Sequence, residues 1–154
     1  MTPKPPVARV PLDQEQVVNA AADLADAEGL DALTLTRVAK ILGVRQPALY
    51  RHVESYQDLL RLLSLRGRDQ LAVALSEAAI GVSGDEAIGA VGRAWRETVL
   101  ASPGLYEATD RYPCAGDEEL EEAVERIVGV IAQALVGFDL DDGHRVHCAR
   151  ALRS

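Results

Sequence analysis

Apolar residues recur along this chain at the three-and-four spacing of helices, and nowhere in the strict alternation of a half-buried strand. Val17, Ala21, Leu24 and Ala25 predict a first helix, with Val18 and Ala22 widening its stripe. Asp13 is placed to cap it, Glu15 and Gln16 fall in its first turn, and Gly29 is expected to end it in the left-handed conformation. After a short linker over 30–33, Thr34 caps a second helix over 35–42, with Val38, Ile41 and Leu42 as its apolar face. Gly43 permits a sharp turn. Pro47 suits the first turn of a third helix over 46–52, which is too short to stand alone. Leu49 and Val53, four apart, must therefore pin it to a core. Ser55, with Asp58 three residues later, opens a long fourth helix carried by Leu59, Leu62, Leu63, Leu71 and Leu75 to about residue 80. The glycine-rich break at 81–84 separates it from a fifth helix over 85–101. A short helix follows over 105–109, then one from about 117 to 136 closed by Gly137, and a last one capped by Asp142 and running from His144. The expectation is an all-α protein of about eight helices, a three-helix unit joined by a long helix to a helical bundle.

The chain has 154 residues, 48% hydrophobic and 26% charged, enough to bury a core without a disulfide or metal staple. Residues 1–12 hold Pro3, Pro5, Pro6 and Pro11 and read as a disordered arm. Its Lys4 and Arg9 are able to reach a DNA backbone, although a solvated tail is the commoner fate of such a terminus. The longest near-apolar stretch, 127–138, is 12 residues, short of the roughly 20 that cross a bilayer. Two cysteines make no disulfide framework, so a cytoplasmic setting is expected. Net charge is −8, but its distribution matters more than its sum. Residues 37–68 carry seven basic and two acidic side chains, a +5 segment between acidic flanks. Such an island is the usual footprint of a nucleic-acid partner; the competing account is helix-surface charge with no partner.

The segment over 34–53 gives that island a shape. Two short helices joined at a glycine form a helix-turn-helix, whose second helix enters the major groove while the first braces it. Gln46, Tyr50 and Arg51 face outward while Leu49 and Val53 face in. Arginine matches guanine O6/N7 and glutamine matches adenine N6/N7, each through two bonds to one base edge. Tyr50 and His52 offer groups for phosphate, which set register rather than sequence.

The run TLTRVAKILGVRQPALYRHVESYQDLL resembles the DNA-binding domain of TetR-family transcriptional regulators. The likeness is close over 13–63 and looser from RAWRETVLASPGLY onward. It implies a DNA-binding domain over 13–55 and a helical ligand-binding and dimerisation domain over 56–154. It implies that Thr34 and Thr36 lie near the phosphate backbone. Arg45, Gln46, Pro47 and Ala48 match the end of the recognition helix that enters the groove, and Tyr50, Arg51 and His52 match its phosphate and base contacts. Tyr56 stands where family members usually carry a phosphate-binding lysine, and it brings no charge. The implied partners are double-stranded DNA at a pseudo-palindromic operator, a small-molecule effector and a second copy of the chain, and the implied role is a ligand-responsive repressor. The family's dimer is built from its last two helices, whereas this chain stops at ARALRS, inside the expected penultimate one. The expectation is a truncated product incomplete at its C-terminus, with a monomeric or aggregating fragment that no longer regulates as the alternative.

Trp95, Tyr106, Tyr112 and Phe138 are candidates for lining an effector pocket, with core packing the commoner use of such rings. Asp139 to Gly143 looks like the start of a calcium loop, but its twelfth position is Arg150 rather than a bidentate glutamate. His144 and Cys148 share helical spacing with no second pair, so no metal is expected. No phosphate-binding GK[ST] ending, G-x-S-x-G or H-E-x-x-H occurs. Neither an enzyme nor a cofactor is expected.

Overall fold

The computed structural model describes residues 11–136, 138 and 140–153, and among them the chain is all-helical. In order come α1 (Gln14–Glu28), a 3-10 turn (Leu30–Ala32), α2 (Leu35–Ile41), α3 (Gln46–Leu49) and the long α4 (Tyr56–Ala79). α5 (Gly84–Ala101), α6 (Pro103–Arg111), α7 (Glu118–Ala134) and α8 (Asp142–Arg153) follow. The caps account for most starts. Asp13 and Gln16 form a reciprocal capping box, Thr34 accepts from Arg37 N, and Ser55 accepts from Asp58 N while Asp58 accepts from Glu54 N.

Two apolar clusters divide the chain. The first gathers α1, α2, α3, the first half of α4 and Leu105 and Ala108 of α6. The second gathers the later half of α4 with α5 and α7. α4 runs through both and packs against α1, α5, α6 and α7. It is therefore the spine joining the two units.

α6 is tied to α1 by an unusual cap. Its own N-cap residue, Ser102, makes no side-chain bond, and the Asp26 carboxylate of α1 accepts instead from Gly104 N at 2.7 Å and Leu105 N at 3.2 Å. The orphan amides of one helix are thus satisfied by another helix, with negative charge at the positive end of the dipole. Gly104 allows the approach, since a Cβ there would lie 2.3 Å from the Ala25 carbonyl carbon. Further along, Arg111 pairs with Asp31 at 2.7 Å. On the other side of the spine, Arg61 of α4 bridges to Asp117 and Glu119 at the start of α7, with its Nη2 3.0 Å from Asp117 Oδ1.

Several expectations need correction. Ile41 is exposed, and Leu35, Val38 and Ala39 form the inner face of α2. Gly29 has positive φ (86°) but extended ψ (158°), so it redirects the chain into the 3-10 turn rather than continuing a left-handed curl. α3 stops at Leu49 instead of residue 52, because Leu49 O is shared by His52 N and Val53 N in a closing turn. Asp141, not Asp142, caps α8 by accepting from His144 N at 2.9 Å, which holds the Asp141 carboxyl below the usual range. Leu12 packs on the first core rather than belonging to an arm. Gly137, Asp139 and residues 1–10 of the arm, with Lys4 and Arg9, lie outside the described residues.

Two stability effects follow. Gly104→Ala should destabilise the fold by about 1–3 kcal/mol, read from urea or thermal unfolding, because backbone must give way to the added methyl. The Asp117 carboxyl is held below its ordinary range, first by its bond to Arg61 and then by the amide of Leu120. A depressed carboxylate stabilises above its unfolded pKa and loses that contribution as pH falls through the folded value. Asp117→Asn should therefore be less stable than the parent at neutral pH, with the difference closing in acid.

Candidate nucleic-acid interface

α3 has only four residues, so nothing in it supplies its own stability. Its position is imposed from outside. Gly43, at φ 66°, turns the chain out of α2, and Val44 N returns to Ala39 O at 3.0 Å. Arg45 occupies the N-cap position and Pro47 the first turn, where its missing amide costs nothing. Leu49 is completely buried and Val53 nearly so, as their spacing requires. Gln14 of α1 donates to His52 O at 2.9 Å, closing the far end of the turn onto the domain.

The opposite face is polar and open. Thr34, Thr36, Lys40, Arg45, Pro47, Tyr50 and Arg51 are exposed, and Gln46, Ala48 and His52 are half-buried. Thr36 donates to Gln46 Oε1 at 2.9 Å, and Gln46 Nε2 donates to the Tyr50 hydroxyl at 3.3 Å. Tyr56 is half-buried against the first core instead of standing out as a surface side chain.

The basic island is smaller in space than in sequence. Arg37 pairs with Glu28 at 2.5 Å, Arg61 with Asp117 and Glu119, and Arg66 with Asn19. Arg68 is buried, bonded to Ser64 and to Thr109 O. Of the basic side chains over 37–68, those of Lys40, Arg45 and Arg51 have neither a hydrogen bond nor an ion pair among the described residues. These three lie on or beside the helix-turn-helix. Arg61, Arg66 and Arg68 fall after the Ser55 cap, on a long helix that leads away from it. That cap was the signal that the run of charge should be divided. Lys40, at the end of α2, is an exposed cation that the motif reading passed over.

A second site is a half-open cleft between helices. A cavity of about 370 Å³ lies among α4, α5, α6 and α7, with Trp95, Tyr106, Leu71 and Ile127 in its walls beside Arg68 and Thr109. Two of the four predicted rings thus meet. Tyr112 instead packs on the first core, and Phe138 packs on the second without reaching the cavity. Among the described residues no cluster of His, Cys, Asp or Glu could hold a metal ion, and no helix is long and apolar enough to cross a membrane.

Residues 17–63 match the family of bacterial regulatory proteins named for TetR, and residues 88–154 match the tetracycline repressor-like C-terminal domain. An uncharacterised HTH-type transcriptional regulator of Bacillus subtilis, YobS, is 30% identical over 148 residues, covering 95% of this chain and 76% of that protein. The chain belongs to the TetR family. Another relative, the uncharacterised HTH-type transcriptional regulator Rv0681 of Mycobacterium tuberculosis, is 32% identical over 139 residues; the match covers 90% of this chain and 64% of that protein. A crystal structure of BioQ with its natural double-stranded DNA operator superposes with a TM-score of 0.69 at 25% identity, over 93% of this chain and 82% of the other. The chain thus spans less than two-thirds of the length of Rv0681 and about three-quarters of that of YobS.

Removing the buried anchor of α3 tests how the face is held. Leu49→Ala should cost about 2–5 kcal/mol in an unfolding titration, the range for a large-to-small change in a packed core.

Proposed function

We propose that this chain is a ligand-responsive transcriptional repressor that binds a pseudo-palindromic operator in the cytoplasm as a homodimer. The observation that carries this is the exposed α2–α3 face. Gln46 and Tyr50 stand at the two ends of a short helix whose other side is fixed by Leu49, and the cations Lys40, Arg45 and Arg51 lie on the same helix-turn-helix. Such a face suits insertion into a major groove. Gln46 and Arg45 reach base edges, Arg51 and Lys40 meet phosphates, and Thr34, Pro47 and Ala48 line the approach. His52 is placed beside Arg51 at the end of the turn, where a ring N–H can meet phosphate. Tyr56 serves better as packing for the start of α4 than as a phosphate contact, given its place against the core. In a dimer, two such helices about 34–36 Å apart would read successive half-sites.

The cavity supports the effector half of the proposal. Its volume of about 370 Å³ falls within the range of small-molecule sites, and apolar and aromatic walls with a few polar groups are their usual lining. Trp95 and Tyr106 are the rings that would meet the ligand. The match over 88–154 favours a regulator with an effector-binding half over a non-regulating fragment. A binding protein, rather than an enzyme, is what these features support.

Duplex binding across a salt series, with two variants, tests the assignment. Arg51→Ala should weaken binding to all sequences and reduce the slope of log K against log salt by about 0.9 per lost phosphate contact. Gln46→Ala should relax preference at one base pair per half-site, by about 1–3 kcal/mol, and leave the slope alone. Unchanged affinity in Arg51→Ala would remove its assigned role.

A further inference from the structure

The hydrogen-bond chain from Thr36 through Gln46 to Tyr50 crosses from α2 to α3 on the exposed face. The Thr36 hydroxyl donates to Gln46 Oε1 at 2.9 Å, and Gln46 Nε2 donates to the Tyr50 hydroxyl oxygen at 3.3 Å. A hydroxyl carries one proton, whereas the oxygens of a phosphodiester only accept. While the Thr36 proton lies on Gln46, it is not available to DNA backbone. We propose that Thr36 is a positioning residue for base reading, which together with Tyr50 clamps the Gln46 carboxamide, and that it is not a phosphate anchor.

The clamp leaves a definite remainder. A carboxamide has two N–H donors and two carbonyl lone pairs, and the clamp takes one of each. One donor and one acceptor stay free, the pair that meets adenine N7 and N6 along one base edge. Tyr50 accepts from Gln46, so its own proton is left for a neighbouring phosphate oxygen. The base-reading group and one backbone contact are thereby locked in register. Gln46 is a flexible side chain at the start of a four-residue helix, and holding it before DNA arrives lowers the ordering cost of recognition.

The inference rests on the DNA-binding function proposed above, and the experiment separates the two. The full chain is used to select duplexes from a randomised pool, and affinities are then measured for single-base variants of the recovered site. Thr36→Val keeps the shape and removes the hydroxyl; Thr36→Ser keeps the hydroxyl. Thr36→Val should lose about tenfold of the discrimination at one base pair, or about 1.4 kcal/mol. That base pair should be the one affected by Gln46→Ala. The double variant should lose no more there than Gln46→Ala alone, because the two changes remove one coupled unit. Thr36→Ser should restore discrimination, and affinity for unrelated duplex should not change. An equal loss across all sequences in Thr36→Val would assign the hydroxyl to phosphate and overturn the inference. So would undiminished discrimination. If the unaltered chain selects no sequence from the pool, DNA binding itself fails and the inference falls with it.

Discussion

Leu49 is the contact on which the DNA-facing surface depends. A helix of four residues has almost no intrahelical hydrogen bonding to sustain it, so its orientation is that of its one fully buried side chain. Burying a leucine contributes about 1.5–3 kcal/mol, several times what so short a helix can gain by itself. Val53 repeats the anchor one turn later, and Gln14 ties the His52 carbonyl to α1. With the inner side fixed, the outer side chains have defined places, and the Thr36–Gln46–Tyr50 chain adds a polar tie across the same two helices. Apolar burial sets where the helix is, and hydrogen bonds set how its reading group points.

Two elements connect that unit to the cavity. α4 threads both cores, and α6 touches both the first core and the cavity in its own length. Tyr106 and Thr109 stand in the cavity wall, while Gly104 and Leu105 take their cap from Asp26 of α1. The α1–α6 contact is backbone against backbone at Gly104, so it has little capacity to absorb a displacement. An occupant that pushes on the α6 wall must either carry α1 with it or break the Asp26 cap. For the ligand-responsive repressor proposed above, this contact links the cavity wall to α1.

The local features were legible in the sequence because their causes are local. Asp13, Thr34 and Ser55 cap helices three residues downstream, and the leucine spacing marks the inner faces. The recognition motif was legible for the same reason, with glycine, proline and anchors at short fixed offsets. What escaped depends on packing between distant segments. The charge count over 37–68 could not show that Arg61 meets Asp117, 56 residues away, or that Arg68 turns inward to Thr109. Tyr106 and Tyr112 are equally aromatic and six residues apart, yet only one faces the cavity, because the start of α6 is fixed by α1. Ile41 has the right spacing for the core, but at the last turn of α2 its side chain is exposed, and the inner face is completed by Ala39.

The central claim is that the α2–α3 face, carrying Thr36, Gln46, Tyr50 and the three free cations, is the surface that meets DNA. Backbone amide NMR shifts of the full chain, followed as duplex DNA is added at low salt, test it directly. The account predicts that the largest changes fall within 34–56 and fade as salt is raised, with α7 unaffected. Changes centred on α5 or α7, or none in 34–56 at concentrations where duplex is bound, would contradict it.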